Sequence, residues 1–413
     1  MKRISVRLVD EDVQAAKSWK RSLDEMSLGR STGEKKLDVL TFDVQKDLKP
    51  CVETLTARRE RARNPRAKVG AEGDSRGIDT VDIFIIDYDL LGSGDGIQYT
   101  GEDLAYLVRC YSSCKVIVAI NQYSKSNSFE LDLTGHPESY ADLNIAAAQL
   151  DNVGLWHSPW SSEFRPWYWP VLPALVEQFD ARVNFVRDHL DHSVLGSLGF
   201  GGDLVRVFPR AVEAFIGGRK GEAEKVTFRD FVTSSGNGLK PKDKVGDDPD
   251  GEGRTCRIAA ARVSRWLEDM VLSGQEILVD APHLVARHPR FLRGRGTISL
   301  QALNKTAQIP SGNGADEKLG IDASILKEFR FDPTSIWTSR PVWFWPKIVA
   351  RGESFDSSPR TTPDFVFCED TSSFVKRQDA RSFVANVESA YIRRYVSMGA
   401  ENVLYRPEVR FSL

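Results

Sequence analysis

The segment Val81 to Ile86 ends in four apolar residues in succession, Ile83-Phe84-Ile85-Ile86, and runs straight into Asp87-Tyr88-Asp89. Successive side chains of a strand point to opposite faces, so an unbroken apolar run leaves no face for water. Such a strand belongs in the middle of a parallel sheet with helices on both sides. The surrounding chain has the matching alternation. Ile4 to Val9 reads as a strand, Val13 to Met26 as a helix with Val13, Ala16 and Leu23 on one stripe, and Leu37 to Phe42 as a strand. Gln45 to about Arg63 reads as a helix, and the basic, Gly-containing stretch Arg58 to Gly77 as an inserted loop. After the apolar strand, Asp103 to Tyr111 is expected to be a helix and Lys115 to Ile120 a fourth strand. Ser139 to Leu150 is then expected as a helix, Val153 to His157 as the fifth strand, and Trp169 to Leu190 as the closing helix. The expectation is a doubly wound, five-stranded parallel α/β sheet over residues 1–192.

A chain of 413 residues exceeds what one hydrophobic core usually fills. The alternation stops after Leu190, where Gly196, Gly199, Gly201 and Gly202 intervene. Residues 193–413 are expected to form an α+β effector or interaction domain, with a flexible loop at 234–254, which holds almost nothing apolar to bury. Within it, helices are expected at Asp203 to Ile216, Arg257 to Leu272 and Ala380 to Val396. Short strands are expected at Glu276 to Val279, Thr297 to Leu300, Val342 to Trp345 and Asp364 to Cys368.

A net charge of -2 gives no global attraction to nucleic acid or anionic membranes. Five scattered cysteines without a CxxC pair argue against a disulfide framework or a structural zinc site. The N-terminal segment lacks the continuous apolar stretch of a signal peptide or membrane span, so neither is expected there. The expectation is a cytoplasmic protein without a membrane partner.

In an open parallel sheet, ligands bind at the carboxyl ends of the strands. Two strands end there in acids, Asp10-Glu11-Asp12 and Asp87-Tyr88-Asp89. Carboxylates gathered in this way repel one another unless a cation neutralises them, and hard oxygen ligands suit Mg²⁺. The pattern resembles the response-regulator receiver family, whose domain has the flavodoxin-like fold, across residues 1 to 190. The resemblance rests on Asp10-Glu11 after the first strand, on DIFIIDYDLLGSGDG around Asp87, and on VGLWHSPW. It implies that Asp87 is the phosphoacceptor, that Asp10, Glu11, Asp87 and Asp89 hold Mg²⁺, and that Pro159 stands in the family's Lys-Pro turn. The sequence departs from the family in two places. Ser158 occupies the place of the phosphate-pairing lysine, and Ile120 or Asn121 that of the switch Ser or Thr. Lys125 is a nearby cation that could stand in for the lysine.

Arg287, Arg290, Arg293 and Arg295, with His288 and Phe291, have the composition of a nucleic-acid contact, as does the run Arg58 to Lys68; a solvated basic loop or internal pairing with acids is the simpler explanation of both. Asp364, Glu369, Asp370 and Lys376 carry the residue types of a metal-dependent nuclease at a different spacing. His189 and His192 share a helix face without a third ligand. Tryptophans cluster between Trp156 and Trp169 and between Trp337 and Trp345, which suggests a contact between the two halves.

The resulting expectation is an atypical response-regulator-like signalling protein of a bacterial two-component setting, with a pseudo-receiver controlling a C-terminal effector or partner-binding domain. Its partner would be a sensor kinase or an operon-encoded subunit, or a second copy in a homodimer. The alternatives are a non-catalytic assembly subunit of a bacterial defence or stress complex, and a nuclease-like metal-dependent enzyme with its site in the C-terminal half.

Overall fold

The computed structural model describes residues 3–28, 36–64, 76–88, 90, 99–121, 128–130, 139–157, 164–217, 221–233, 238–240, 243, 251–292, 298–308, 319–321, 327–332, 334, 336–351, 364–384 and 393–404. Its centre is the strand anticipated from the apolar run, Ile83–Asp87 (β3), in which all five residues are buried. Beside it lie Ile4–Val9 (β1), Leu37–Phe42 (β2), Val116–Asn121 (β4) and Leu143–Ala146 (β6). These five strands form one sheet in the order β2-β1-β3-β4-β6, and every pairing is parallel. At the edge, β2 alternates buried and exposed residues over Leu37–Leu40, as a strand covered on one face should.

The helix Val13–Leu28 and the first half of the helix Leu172–Asp188 cover one face, where Ala16, Leu23, Leu172 and Val176 meet Val6, Leu8, Ile85, Val118 and Ile145. The helices Lys49–Arg63 and Gly101–Tyr111 cover the other, against Val9, Phe84, Ile86, Ile117 and Ala119. That second core continues without a break into residues of the C-terminal half. There the helix Gly251–Trp266 packs along the 172–188 and 101–111 helices. The architecture is an α/β doubly wound unit with an α+β part built on separate sheets.

Two expectations near the fifth strand are corrected. The strand lies at Leu143–Ala146, inside the segment expected to be a helix, and Val153–Trp156 is one helical turn. The Ala-rich 139–150 segment has helical propensity, but burial of Leu143 and Ile145 against the sheet overrides it. Asn152 sets the later segment, because its Oδ1 accepts the Gly154 N–H at 2.9 Å and so starts a helical turn. Gly154 is required there, since a Cβ would sit 2.5 Å from Arg165 Cδ.

In the C-terminal half, Leu278–Asp280 (β7) pairs antiparallel with Val342–Phe344 (β8). Phe365–Cys368 (β9), Ser373–Lys376 (β10), Ala380–Val384 (β11) and Arg393–Ser397 (β12) form a sheet ordered β10-β9-β12-β11. The helix expected over Ala380 to Val396 is therefore replaced by two antiparallel strands. The reason is long-range: Arg394 on β12 is drawn inward to Glu369, beyond the end of β9. Of the strand expected at Thr297 to Leu300, Thr297 lies outside the described residues, and Ser299 instead caps the helix Leu300–Thr306 by accepting the Ala302 N–H. Ser128–Glu130 (β5) pairs in parallel with Glu401–Leu404 (β13). No helix among the described residues is long and apolar enough to cross a membrane.

The two tryptophan clusters meet through the second core. Phe185 lies edge-on to Trp337 at 5.4 Å, and the Arg340 guanidinium lies 5.3 Å from the Trp167 ring centroid. The corrected fifth strand can be tested directly. Ile145 is 1% exposed and Val153 40% exposed. Ile145→Asp is expected to destabilise the fold by more than about 4 kcal/mol. Val153→Asp, in the first turn of a helix, should stay within about 0.5 kcal/mol of the parent in urea unfolding.

Candidate functional site

Register brings two of the sequence-selected acids together. Val9 on β1 lies opposite Ile86 on β3, so Asp10 and Asp87 emerge side by side at the carboxyl ends of the central strands. Both are buried, each at 1% exposure. Asp10 Oδ1 accepts the Asp12 backbone N–H at 2.6 Å. Burial pushes the Asp10 carboxyl up to about 6, and repulsion from Asp12 and Glu11 adds to this against the opposing Asp12 hydrogen bond. Glu11 is half-buried, and its Oε2 is buried without a hydrogen-bond partner. Asp89 lies outside the described residues.

Among the described residues, no three His, Cys, Asp or Glu side chains converge as a ready-made metal site. The donor chemistry nevertheless fits a hard cation. Mg²⁺ is commonly held by one or two carboxylates and completes its shell with water. Asp10 and Asp87 would provide the carboxylates, and the orphaned Glu11 oxygen is an acceptor in need of a partner.

The floor of this edge was legible in part. Asp87 pairs with Ile120 on β4, so an apolar residue stands opposite the acid where the receiver pattern has a hydroxyl. Asn121 ends that strand and is half-buried. The residues that follow the fifth strand are Ala147–Gln149, a 3₁₀ turn with no cation. Ser158 and Pro159 follow the helical turn rather than the strand, and they, like Lys125, lie outside the described residues.

Sequence reasoning missed Gly101. The 101–111 helix begins against the acid: Gly101 N–H donates to Tyr88 O at 2.9 Å, and a Cβ at Gly101 would sit 2.4 Å from the Asp87 carbonyl oxygen. The signal was present in Thr100-Gly101-Glu102-Asp103, since Thr100 caps the helix by accepting the Asp103 N–H at 3.1 Å.

The basic runs turn inward where they are described. Arg58 pairs with Asp79 at 2.7 Å, and Arg59 and Arg63 hold the buried Asp243 at 2.9 and 2.5 Å. Arg287 pairs with Glu276 at 3.3 Å and lies over Trp345. Arg293, Arg295 and the Arg290 side chain lie outside the described residues. The nuclease-type acids do not gather. Asp364 is exposed and paired with Arg377, whereas Glu369 and Asp370 are buried beyond the other end of β9. The five residue steps from Asp364 to Glu369 along an extended chain span roughly 16 Å. His189 and His192 have ring centroids 5.5 Å apart and gain no third ligand among the described residues.

Glu369 belongs instead to a buried charge network. His283 sits between two carboxylates, with Nδ1 2.6 Å from Asp280 Oδ1 and Nε2 3.2 Å from Glu369 Oε1. Arg394 Nε lies 3.3 Å from the same Glu369 oxygen, and Trp167 packs edge-on against the imidazole at 5.2 Å. His283, Asp280 and Glu369 are each 1% exposed. Burial alone would lower the His283 value, but the two carboxylates outweigh it and hold the imidazolium above its ordinary range. Burial alone would raise the Asp280 value, but the His283 imidazolium and the Arg340 guanidinium outweigh it and hold the carboxyl below its ordinary range. The only local cue was Asp280-Ala-Pro-His283, an N-cap followed by proline at the start of the helix Ala281–Arg287.

No known family model, curated protein or solved structure matches this chain.

Two stability measurements check these electrostatics. Asp10→Asn keeps the acceptor for Asp12 and removes the buried charge. It should raise metal-free stability at pH 8 by on the order of 1–3 kcal/mol. The gain should shrink as pH falls below about 6, where wild-type Asp10 becomes protonated in the fold. The His283 contribution has the opposite sign: it is complete below pH ~6.5 and declines as pH rises through the elevated folded value. Urea midpoints should therefore show a His283→Gln penalty of roughly 3 kcal/mol near pH 6 that narrows as pH rises through the raised folded value.

Proposed function

We propose that the chain is an atypical receiver-type regulatory protein, in which the acidic edge of the parallel sheet takes a hard divalent cation and influences the C-terminal half. The observation that carries this reading is the buried pair Asp10 and Asp87 at the carboxyl ends of adjacent central strands, beside a Glu11 oxygen that accepts no hydrogen bond. The strand order supports it. A second-first-third-fourth-fifth parallel sheet is the flavodoxin-like order, whose ligands bind at the β1/β3 switch point where these acids stand.

Bound Mg²⁺ would supply charge neutralisation for the carboxylates and for an oxyanion beside Asp87. Asp10 and Asp87 would hold the ion, while the Gly101 approach fixes the Asp87 backbone. Phosphoryl transfer needs cationic groups against the transferred oxygens. Ile120 and the Ala147–Gln149 turn offer none, which favours a pseudo-receiver that responds to a cation or a partner over an efficient phosphoacceptor.

A route to the other half starts at the same edge. After β6 leaves the sheet, Arg165 N–H donates to Asp370 O at 2.8 Å and Trp167 N–H to Glu369 O at 2.7 Å. Movement at the acidic edge would therefore pull on the β9–β10 turn and its charge network. The partner suited to this device is a sensor kinase or a companion subunit that reads the C-terminal half.

Thermal unfolding of the full chain with Mg²⁺, and with Mg²⁺ plus beryllofluoride, tests the proposal. Mg²⁺ should raise Tm saturably, and Asp87→Asn or Asp10→Asn should remove the effect. If millimolar Mg²⁺ leaves the wild-type Tm unchanged with and without beryllofluoride, the receiver-type reading fails and the assembly-subunit reading takes its place.

A further inference from the structure

At the opposite end of the strands, a cavity of about 40 Å³ opens between the starts of β4 and β6, the 172–188 helix and the stretch 261–269. That volume holds roughly three water-sized positions, the room of a molecule such as glycine or alanine. Leu143, Leu175 and Phe179 form its apolar wall, with Tyr168 at the side.

Most charges around it neutralise one another in pairs. Lys115 binds Asp180 at 2.8 Å, Arg109 binds Asp142, and Arg265 Nε binds Asp269 at 2.8 Å. Two lining groups of opposite charge make no close ion pair among the described residues and act on each other only at longer range. Arg182 is 4% exposed, yet its guanidinium makes one hydrogen bond, to Leu175 O at 3.1 Å, and no ion pair among the described residues. Five N–H donors on a buried cation call for more acceptors than one carbonyl. Glu268 accepts the Ser339 backbone N–H and has no ion-pair partner among the described residues.

Glu268 stands in a π-helical turn, Leu267–Val271, that continues the 251–266 helix. Such turns are rare and recur at functional sites. A bare anion would suit Arg182 but meet Glu268, and a bare cation would meet the reverse. A ligand with both charges answers both groups.

We propose that this cavity binds a small α-amino acid as its zwitterion, with the carboxylate on Arg182 and the ammonium on Glu268. Both groups lie where the parallel sheet meets the 251–266 helix, so the ligand would bridge the two halves of the chain. The site is remote from the acidic edge and does not depend on the receiver-type reading.

Calorimetry and thermal unfolding of the full chain with glycine, alanine, acetate and methylamine test it. Glycine or alanine should bind saturably and raise Tm, and neither acetate nor methylamine should reproduce the effect. Arg182→Met replaces a buried cation by an apolar chain of similar length, so it should fold with an unchanged or raised Tm. Glu268→Gln keeps the acceptor for Ser339. Each variant should weaken amino-acid binding at least tenfold. The proposal is overturned if neither amino acid binds the wild type, if acetate alone binds as well as glycine, or if both variants bind like the parent.

Discussion

Everything in this molecule is arranged around a strand that can touch no water. β3 is buried along its whole length, so the sheet needs a layer on each face, and a parallel sheet places its carboxyl ends along one edge. One layer comes from the 13–28 and 172–188 helices. The other is shared between the 49–63 and 101–111 helices and the 251–266 helix, whose first turn, like the buried Leu239 and Asp243, falls inside the 234–254 segment expected to be a flexible loop. The C-terminal half is therefore part of the covering of the sheet.

That shared layer explains how a helix rich in arginine can be almost wholly buried. In the 251–266 helix, Arg254 lies over Tyr111, and Arg262 lies over Tyr140 while donating to the Ser139 carbonyl. Stacking on aromatic faces and donating to carbonyls lets a guanidinium leave water at tolerable cost. The same logic governs the His283 network, where two carboxylates, an imidazolium and Arg394 are paired in charge between β7, β9 and β12. Networks of this kind fix geometry more than they add stability. This one fixes the turn to which Arg165 and Trp167 are hydrogen bonded.

The two edges of the sheet thus have different chemistry. The carboxyl edge gathers the acids Asp10, Glu11 and Asp87, while the amino edge presents Arg182 and Glu268 across a small cavity. Both lie beside segments that belong to the interface between the halves, so ligands at either would act on one shared core.

The sequence by itself determined the sheet's centre and its acidic edge. Period-two and unbroken apolar runs are local signals, and they located β1, β2, β3 and β4 along with Asp10 and Asp87. It also contained the caps at Thr100, Asn152 and Asp280, because a cap is written within three residues. Only the tertiary structure decided the rest. Leu143–Ala146 is a strand because β4 offered it an edge, against its own helical composition. Ala380–Val384 and Arg393–Ser397 became strands because Arg394 had a buried carboxylate to meet. Arg59, Arg63 and Arg287 turned inward because acids far away in sequence were waiting there. Pairing and charge compensation between distant residues leave no periodic trace in the chain, and so they appear only once it is folded.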